Sequence, residues 1–488
     1  MVFEMVGVVG LGTMGAGIAE VFARAGLRVI GVEADPEALA RGRGHLERST
    51  GRAVDRGKLT GGERDEILGR ITLTTSRDDL RDADLVVEAI PEILDYKVSL
   101  LEDLDRICKP ETVLATNTSS LSVTAVAAAT GRPGRVVGMH FFNPAPVMRL
   151  VEVVGTVVTE PSVVAGITEL SVRLGKTPVT VGDRAGFVVN RLLLPYLNHA
   201  AVLLDLGLAG RDEIDTAMRL GVGLPMGPFA LLDLIGLDTA YEIMGVLFDE
   251  TRDRRHAPAP VLRELVTAGL LGRKTGRGFH GFHGFPGDET APREPERVAG
   301  VTFGVAGDDT SSIAEALVKA GFAESDDPDV LLRLSDRPVV EHAVRVRRPS
   351  SLVGVHLVGD QVAELAATVL TSPEAARAAA GLMAAIGRTP VPCKDRAGFV
   401  VDALLYPYLN DAVRMYDSGY ASIADIDAAM RLGCGYPAGP FEMIESLGLA
   451  RVRDGLRALY AEHREPAYAP APLLDQLVTA GMTAFPRP

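Results

Sequence analysis

The chain has 488 residues, a formal net charge of −14, and 47% hydrophobic against 23% charged residues. That length exceeds one ordinary hydrophobic core, so two to four domains are expected. The acidic balance, without a long basic run, argues against a nucleic-acid partner.

Cys108, Cys393 and Cys434 are widely spaced and form no CxxC pair. A disulfide framework or zinc site is therefore not expected, no metal is assigned, and a reducing cytoplasm fits. The N-terminus lacks a basic leader followed by an apolar stretch, and no uninterrupted apolar segment is long enough for a bilayer. A cytoplasmic protein with no membrane partner is the expectation.

Val6–Val9 is a short apolar run entering a glycine-rich turn. Ala16–Ala25 then reads as a helix and Leu27–Val32 as a second strand, the unit that builds a parallel sheet. Further buried-type strands are expected at Leu85–Ala89, Val113–Thr116 and Val136–Met139. After Phe187 the pattern turns to long apolar helices such as Leu192–Leu206 and Ile214–Leu220. Thr275–Arg297 is rich in glycine, proline and charge, which is linker composition.

Beyond the linker the chain repeats itself. DRAGFVVNRLLLPYLN at 183–198 returns as DRAGFVVDALLYPYLN at 395–410, and IDTAMRLGVGLPMGPF at 214–229 returns as IDAAMRLGCGYPAGPF at 426–441. Both blocks keep an offset of 212 residues, so the helical domain is duplicated without a net insertion between them. Upstream of the second copy, GVTFGVAGDDTSSIAEALVKAGF keeps a strand–helix rhythm, but Gly304, Gly307 and Asp308 make no GxGxxG. The expected fold is α/β plus α. It comprises a doubly wound Rossmann domain (1–184), a helical domain (185–284), a linker (285–300), a reduced Rossmann-like domain (301–394) and a second helical copy (395–488).

Gly10-Leu11-Gly12-Thr13-Met14-Gly15 is GxGxxG directly after a strand and opening a helix. Its glycines permit the tight turn, the approach of a pyrophosphate and close helix–strand packing. Orphan N–H groups and the helix dipole then favour the phosphates. Glu33, at the end of the second strand, can accept both ribose hydroxyls and would repel a 2′-phosphate, so the cofactor is expected to be NAD rather than NADP.

His140 follows a strand, and Glu152 lies 12 positions later at the start of a new apolar run. An imidazole can take a hydroxyl proton as hydride leaves carbon, and a carboxylate on its other nitrogen fixes the tautomer. From spacing alone, a lone histidine beside a strand end is more often a satisfied structural residue than a catalytic one. Asn117-Thr118-Ser119-Ser120 ends another expected strand, on the sheet edge where such folds bind ligands; its plain alternative is a helix-capping turn.

The motifs GVVGLGTMGAGIAE, ADLVVEAIPE, ATNTSSLSV, GMHFFNPAPVMRLVEVV, GFVVNRLLLPYLN, GPFALLDLIGLD and GLLGRKTGRGF, in this order over residues 5–280, resemble the 3-hydroxyacyl-CoA dehydrogenase family. The resemblance implies NAD-dependent oxidation of a 3-hydroxyacyl-CoA, with His140 as general base and Glu152 as its orienting carboxylate. Ser119 and Asn190 would bind the substrate's 3-oxygen. Gly10, Gly12, Thr13, Met14, Gly15 and Glu33 would hold NAD, with Glu92, Lys97 and Asn117 nearer its ribose and nicotinamide.

Arg48, Arg52 and Arg56 recur every four positions with Lys58 beyond, a solvated basic face or, as the resemblance suggests for this region, a receiver of CoA phosphates through Arg52, Arg56 and Lys58. The long members of the family that the chain resembles act on 3-hydroxybutyryl-CoA or on 3-hydroxyadipyl-CoA, the latter in aromatic-acid breakdown. Two alternatives stand beside this reading: a dehydrogenase of a free hydroxy acid (gulonate- or carnitine-like), and a non-catalytic NAD-binding protein of the crystallin kind.

In the second half the position of Asn190 is taken by Asp402. His356 and Glu364 faintly echo His140 and Glu152 at a separation reduced to 8. Nothing equivalent to Asn117–Ser120 is evident, so a structural role is expected. Either a homodimer or an internal pseudo-dimer of the two helical copies would follow.

Overall fold

The structure, a computed structural model, describes residues 1–281, 298–307 and 310–486. The core of the expected linker and Asp308 lie outside the described residues. The chain divides into two compact units, residues 1–191 with 418–434, and residues 192–417 with 435–488.

The first unit is built on an eight-stranded sheet. Its strands are β1 (Met5–Val9), β2 (Arg28–Val32), β3 (Ile71–Thr74), β4 (Leu85–Glu88), β5 (Val113–Thr116), β6 (Val136–Phe141), β7 (Leu150–Gly155) and β8 (Thr177–Gly182), in the order β3-β2-β1-β4-β5-β6-β7-β8. All pairs are parallel except β6 with β7. Strands β4, β5 and β6 are buried along their whole length, as a sheet covered on both faces requires. That is why they read as continuous apolar runs rather than alternating ones. The first helix, Thr13–Arg24, starts directly after the glycine turn, three residues earlier than the apolar pattern suggests.

The second unit carries a six-stranded sheet of β9 (Thr302–Ala306), β10 (Ala323–Glu324), β11 (Val330–Leu334), β12 (Leu352–Val358), β13 (Val362–Ala367) and β14 (Thr389–Lys394). Its order, β10-β9-β11-β12-β13-β14, is that of the first sheet with two strands fewer, and again only β12 with β13 is antiparallel. Strand β11 alone spans the place that β4 and β5 fill between the equivalents of β1 and β6.

The helices repeat with the sequence. Val189–Asp205 matches Val401–Asp417, and each carries an internal proline, Pro195 and Pro407. The expected helix Ile214–Leu220 begins earlier, at Arg211, and passes at Ala217 into a π turn ending at Gly221. Its counterpart Ile423–Cys434 is α-helical throughout. These two segments dock in exchanged fashion. The first-copy segment packs on β13 and β14 of the second sheet, while the second-copy helix packs on β7 and β8 of the first.

Matching glycines permit the close approach: a Cβ at Gly221 would come within 2.9 Å of Val358, and one at Gly433 within 2.9 Å of Val189 and 3.0 Å of Leu150.

Candidate active site

The antiparallel pairing of β6 with β7 sets His140 directly opposite Glu152. His140 Nδ1 lies 2.7 Å from Glu152 Oε2, and both residues are buried. The other carboxylate oxygen, Oε1, accepts the N–H groups of Val188 and Val189, each at 3.0 Å.

These donors are aimed by two successive left-handed residues, Gly186 (φ 73°) and Phe187 (φ 47°), at the entrance to helix Val189–Asp205. Consecutive backbone N–H groups turned in this way form a small anion-binding nest. A bulky residue at positive φ is costly and persists where its surroundings fix it. Here the Phe187 ring packs 5.7 Å from the imidazole of His140, with Phe142 at 4.5 Å on another side. The buried carboxylate thus has three hydrogen-bond donors, which offsets its desolvation. Sequence reasoning passed over Phe187 and Phe142. The available signal was the aromatic residue after glycine, repeated in both DRAGFVV blocks.

On the other side of the ring, Ser119 Oγ lies 3.2 Å from His140 Nε2. Asn190 Nδ2 donates to Ser119 O at 3.4 Å, so Ser119, His140, Glu152 and Asn190 form one cluster. Asn117 is held beside it, its Oδ1 accepting Phe141 N–H at 2.9 Å.

Glu92 accepts from Thr118 Oγ1 at 2.5 Å and Ser119 N–H at 2.8 Å, and so fixes the backbone of the serine. Lys97 is wholly buried, its ammonium 2.9 and 3.0 Å from the two oxygens of Glu88 and 3.3 Å from Glu92. A buried ammonium between two carboxylates is compensated, and removing either would leave charge unpaired. In the sequence Glu88 looks like no more than the polar end of an apolar strand.

The glycine turn fits a dinucleotide. Gly10 has φ 86°, and a Cβ there would meet the Ala89 carbonyl. At Gly15 a Cβ would overlap the Gly10 carbonyl oxygen, whereas Gly12 has open space around it, as approach of a pyrophosphate requires. The turn opens on a cleft of about 1240 Å³ whose lining includes Thr13, Met14, Glu33, Arg41 and Tyr96. Glu33 Oε1 accepts Leu11 N–H at 2.6 Å, placing its carboxylate at the mouth of the turn.

Arg52 lies in the last turn of helix Pro36–Asp55, Arg56 caps that helix and Lys58 follows it. All three are exposed.

Residues 5–184 match the NAD-binding domain of 3-hydroxyacyl-CoA dehydrogenases, and residues 186–281 and 398–484 each match the C-terminal domain of the same enzymes. The chain belongs to the 3-hydroxyacyl-CoA dehydrogenase family.

It is 37% identical to a 3-hydroxyadipyl-CoA dehydrogenase of Escherichia coli K12, over 97% of each chain. A 3-hydroxybutyryl-CoA dehydrogenase of Mycobacterium tuberculosis is 47% identical over 57% of this chain and 98% of its own length. Among solved structures, a 3-hydroxybutyryl-CoA dehydrogenase from E. coli K12 superimposes with a TM-score of 0.84 at 36% identity, covering 99% of this chain and all of that one. Membership makes the chain an NAD-dependent oxidoreductase of 3-hydroxyacyl-CoA. The expected α/β plus α architecture, with its duplicated pattern, is borne out. Among the described residues, no helix is long and apolar enough to cross a membrane.

Proposed function

We propose that the chain oxidises a short (S)-3-hydroxyacyl-CoA, with a butyryl or adipyl acyl group, to the 3-oxoacyl-CoA, and that His140 is the general base. The observation that carries this reading is the His140–Glu152 pair, with Glu152 held in the Val188–Val189 nest while Nε2 stays turned toward Ser119.

Ser119 Oγ and Asn190 hold the substrate's 3-oxygen beside Nε2. His140 takes the hydroxyl proton there, and Glu152 stabilises the resulting imidazolium at Nδ1. NAD, when bound, supplies the acceptor for the hydride leaving the same carbon. Gly10, Gly12, Thr13, Met14, Gly15 and Glu33 would hold its pyrophosphate and ribose, with Glu92 and Asn117 toward the nicotinamide end, while Lys97, wholly buried, would act only by holding Glu92. Arg52, Arg56 and Lys58 receive the CoA phosphates.

The butyryl and adipyl acyl groups are those of the similar enzymes from M. tuberculosis and E. coli. Relatives matched over their full length carry both names, so the two acyl groups are separated by assay. The measurement is loss of NADH absorbance with acetoacetyl-CoA and then 3-oxoadipyl-CoA, on the wild type and on His140→Gln. Turnover of either substrate, reduced by orders of magnitude in the variant with NADH affinity kept, is the expected result. Silence with both, despite NADH binding, would move the assignment to a free hydroxy acid.

The second half we read as scaffold. Within the second unit the two helical copies pair as an internal pseudo-dimer, through the Tyr196–Tyr408 ring contact at 5.8 Å and the Arg255–Asp411 ion pair. The layout proposed is 1–184, 185–284, 301–394 and 395–488, joined by a linker at 285–300. A cytoplasmic location is in keeping with three free cysteines.

A further inference from the structure

The two helical copies in the second unit are related by the 212-residue offset, but the space between them is not symmetric. On one side, Arg255 and Arg414 converge on Asp411. Arg255 Nη1 forms a close ion pair with it, Arg414 Nη1 lies 3.5 Å away, and Arg414 Nη2 donates to Ala469 O at 2.7 Å. The positions matching Arg255, Asp411 and Arg414 in the other copy are Ala467, His199 and Val202. Two arginines and an aspartate on one side therefore correspond to alanine, valine and histidine on the other.

The shorter side chains leave a cavity of about 360 Å³, walled by Pro195, Tyr196, Val202, Pro407, Tyr408 and Ala467. That volume is at the small end of ligand pockets, which run from about 300 to 1,000 Å³.

Most polar groups at its ends are already engaged, and the ring of His463, also in the lining, packs 5.2 Å from that of Tyr468. His199 Nε2 is 2.8 Å from Tyr468 Oη, and burial holds this imidazole down at about 4, so it is neutral near pH 7. Arg255 is paired with Asp253 and Asp411, and Arg254 lies 3.8 Å from Glu465 at the rim. Asn198 accepts Ala259 N–H at 2.8 Å and donates to Ala257 O at 2.9 Å. With the arginines and carboxylates spent on one another, an ionic ligand would have to break an existing pair. The tyrosine and proline walls instead suit a flat, apolar body.

We propose that this cavity is a second ligand site, distinct from the dehydrogenase centre, that takes an uncharged aromatic small molecule. Duplication is what makes it possible. In a symmetric homodimer each position occurs on both sides of the axis, so an arginine that seals one side seals the other. Two copies in one chain can diverge, and here only one side has been emptied.

The test uses prodan, an uncharged solvatochromic naphthalene, titrated into the full-length protein at saturating NAD. A saturable, blue-shifted signal of one probe per chain is expected. Val202→Arg and Ala467→Arg, which each restore a side chain of the sealed side, should weaken it by at least about tenfold while leaving kcat unchanged. Circular dichroism melting of both variants identifies any that fails to fold, and the other then carries the result. Absence of saturable binding in the wild type overturns the proposal. So does unaltered affinity in a folded variant, which would put the probe elsewhere.

Discussion

His356 Nδ1 lies 2.7 Å from Glu364 Oε2, the same separation that joins His140 to Glu152 in the first sheet. The resemblance extends to the support. Glu364 Oε1 accepts Val400 and Val401 N–H at 3.0 and 2.8 Å, from a nest formed by left-handed Gly398 and Phe399. The difference is at Nε2. Where His140 meets Ser119, His356 meets Arg451 Nη2 at 3.5 Å and Asp402 Oδ2 at 3.9 Å. A guanidinium and a carboxylate occupy the face that a substrate hydroxyl needs. The second pair ties a sheet to a helix start as the first does, but its Nε2 faces Arg451 and Asp402 instead of a serine.

Glu152→Gln separates the structural tie from the chemistry at the first site. An amide oxygen can still accept from Val188 and Val189, but its NH₂ then faces His140 Nδ1 and forces the proton onto Nε2. A base so protonated cannot take another, so kcat should fall by about 10²–10⁴ with NADH affinity kept. Steady-state turnover with acetoacetyl-CoA, alongside NADH fluorescence titration, checks this; near-normal turnover would release Glu152 from its role.

Charge reversal of Arg56 and Lys58 to glutamate should raise KM for the acyl-CoA substrate and spare KM for NADH. Both side chains are exposed, so stability should change by less than about 0.5 kcal/mol. Unchanged KM values would leave these residues as a solvated face.

Asp402 gives a prediction in pH. Burial pushes its carboxyl up from 3.8 to about 6, against the pull of nearby His356. A group whose pKa is raised by folding supports the fold while protonated. Its contribution is therefore present below about pH 4 and lost as pH rises through about 6. Asp402→Asn stays neutral throughout. Relative to wild type its stability should rise across that window, by at most roughly 2–3 kcal/mol for a shift of this size. Urea unfolding at pH 4, 5, 6 and 7 measures the difference, and a difference independent of pH would exclude Asp402 as its source.

Gly433→Val tests the exchanged helix. A side chain there must displace Val189 or Leu150, and Val189 is one of the two donors that hold Glu152. The expected result is a kcat lowered by about tenfold or more at nearly unchanged KM for NADH, together with a loss of about 1–3 kcal/mol in stability. Normal kcat in a folded variant would mean that the contact does not reach the catalytic pair.

Much of this was readable from the residues. The glycine turn, Glu33 and the His140–Glu152 block each carry a local pattern, and the equal offset of two long repeats reveals the duplication. The pairing of His356 with Glu364 was harder to see because their separation is shorter than that of the first pair. Cross-strand register decides such a contact, and residues can leave the connection between two strands without disturbing it. The nest at Gly186–Phe187 was hidden because its donors are backbone groups, which any sequence possesses. Sequence also says which segments are alike, but not that Arg211–Gly221 and Ile423–Cys434 each pack on the other half's sheet.

That exchange bears on how the protein is made. The first unit, with its nucleotide turn and catalytic pair, includes residues 418–434, which leave the ribosome only after residues 192–417 have been synthesised. An N-terminal Rossmann domain usually folds as it emerges. Here the helix that packs on β7 and β8 is among the last segments made. Catalytic competence should therefore come late in synthesis, and a chain cut short before residue 434 should accumulate as an aggregation-prone intermediate rather than as a smaller enzyme.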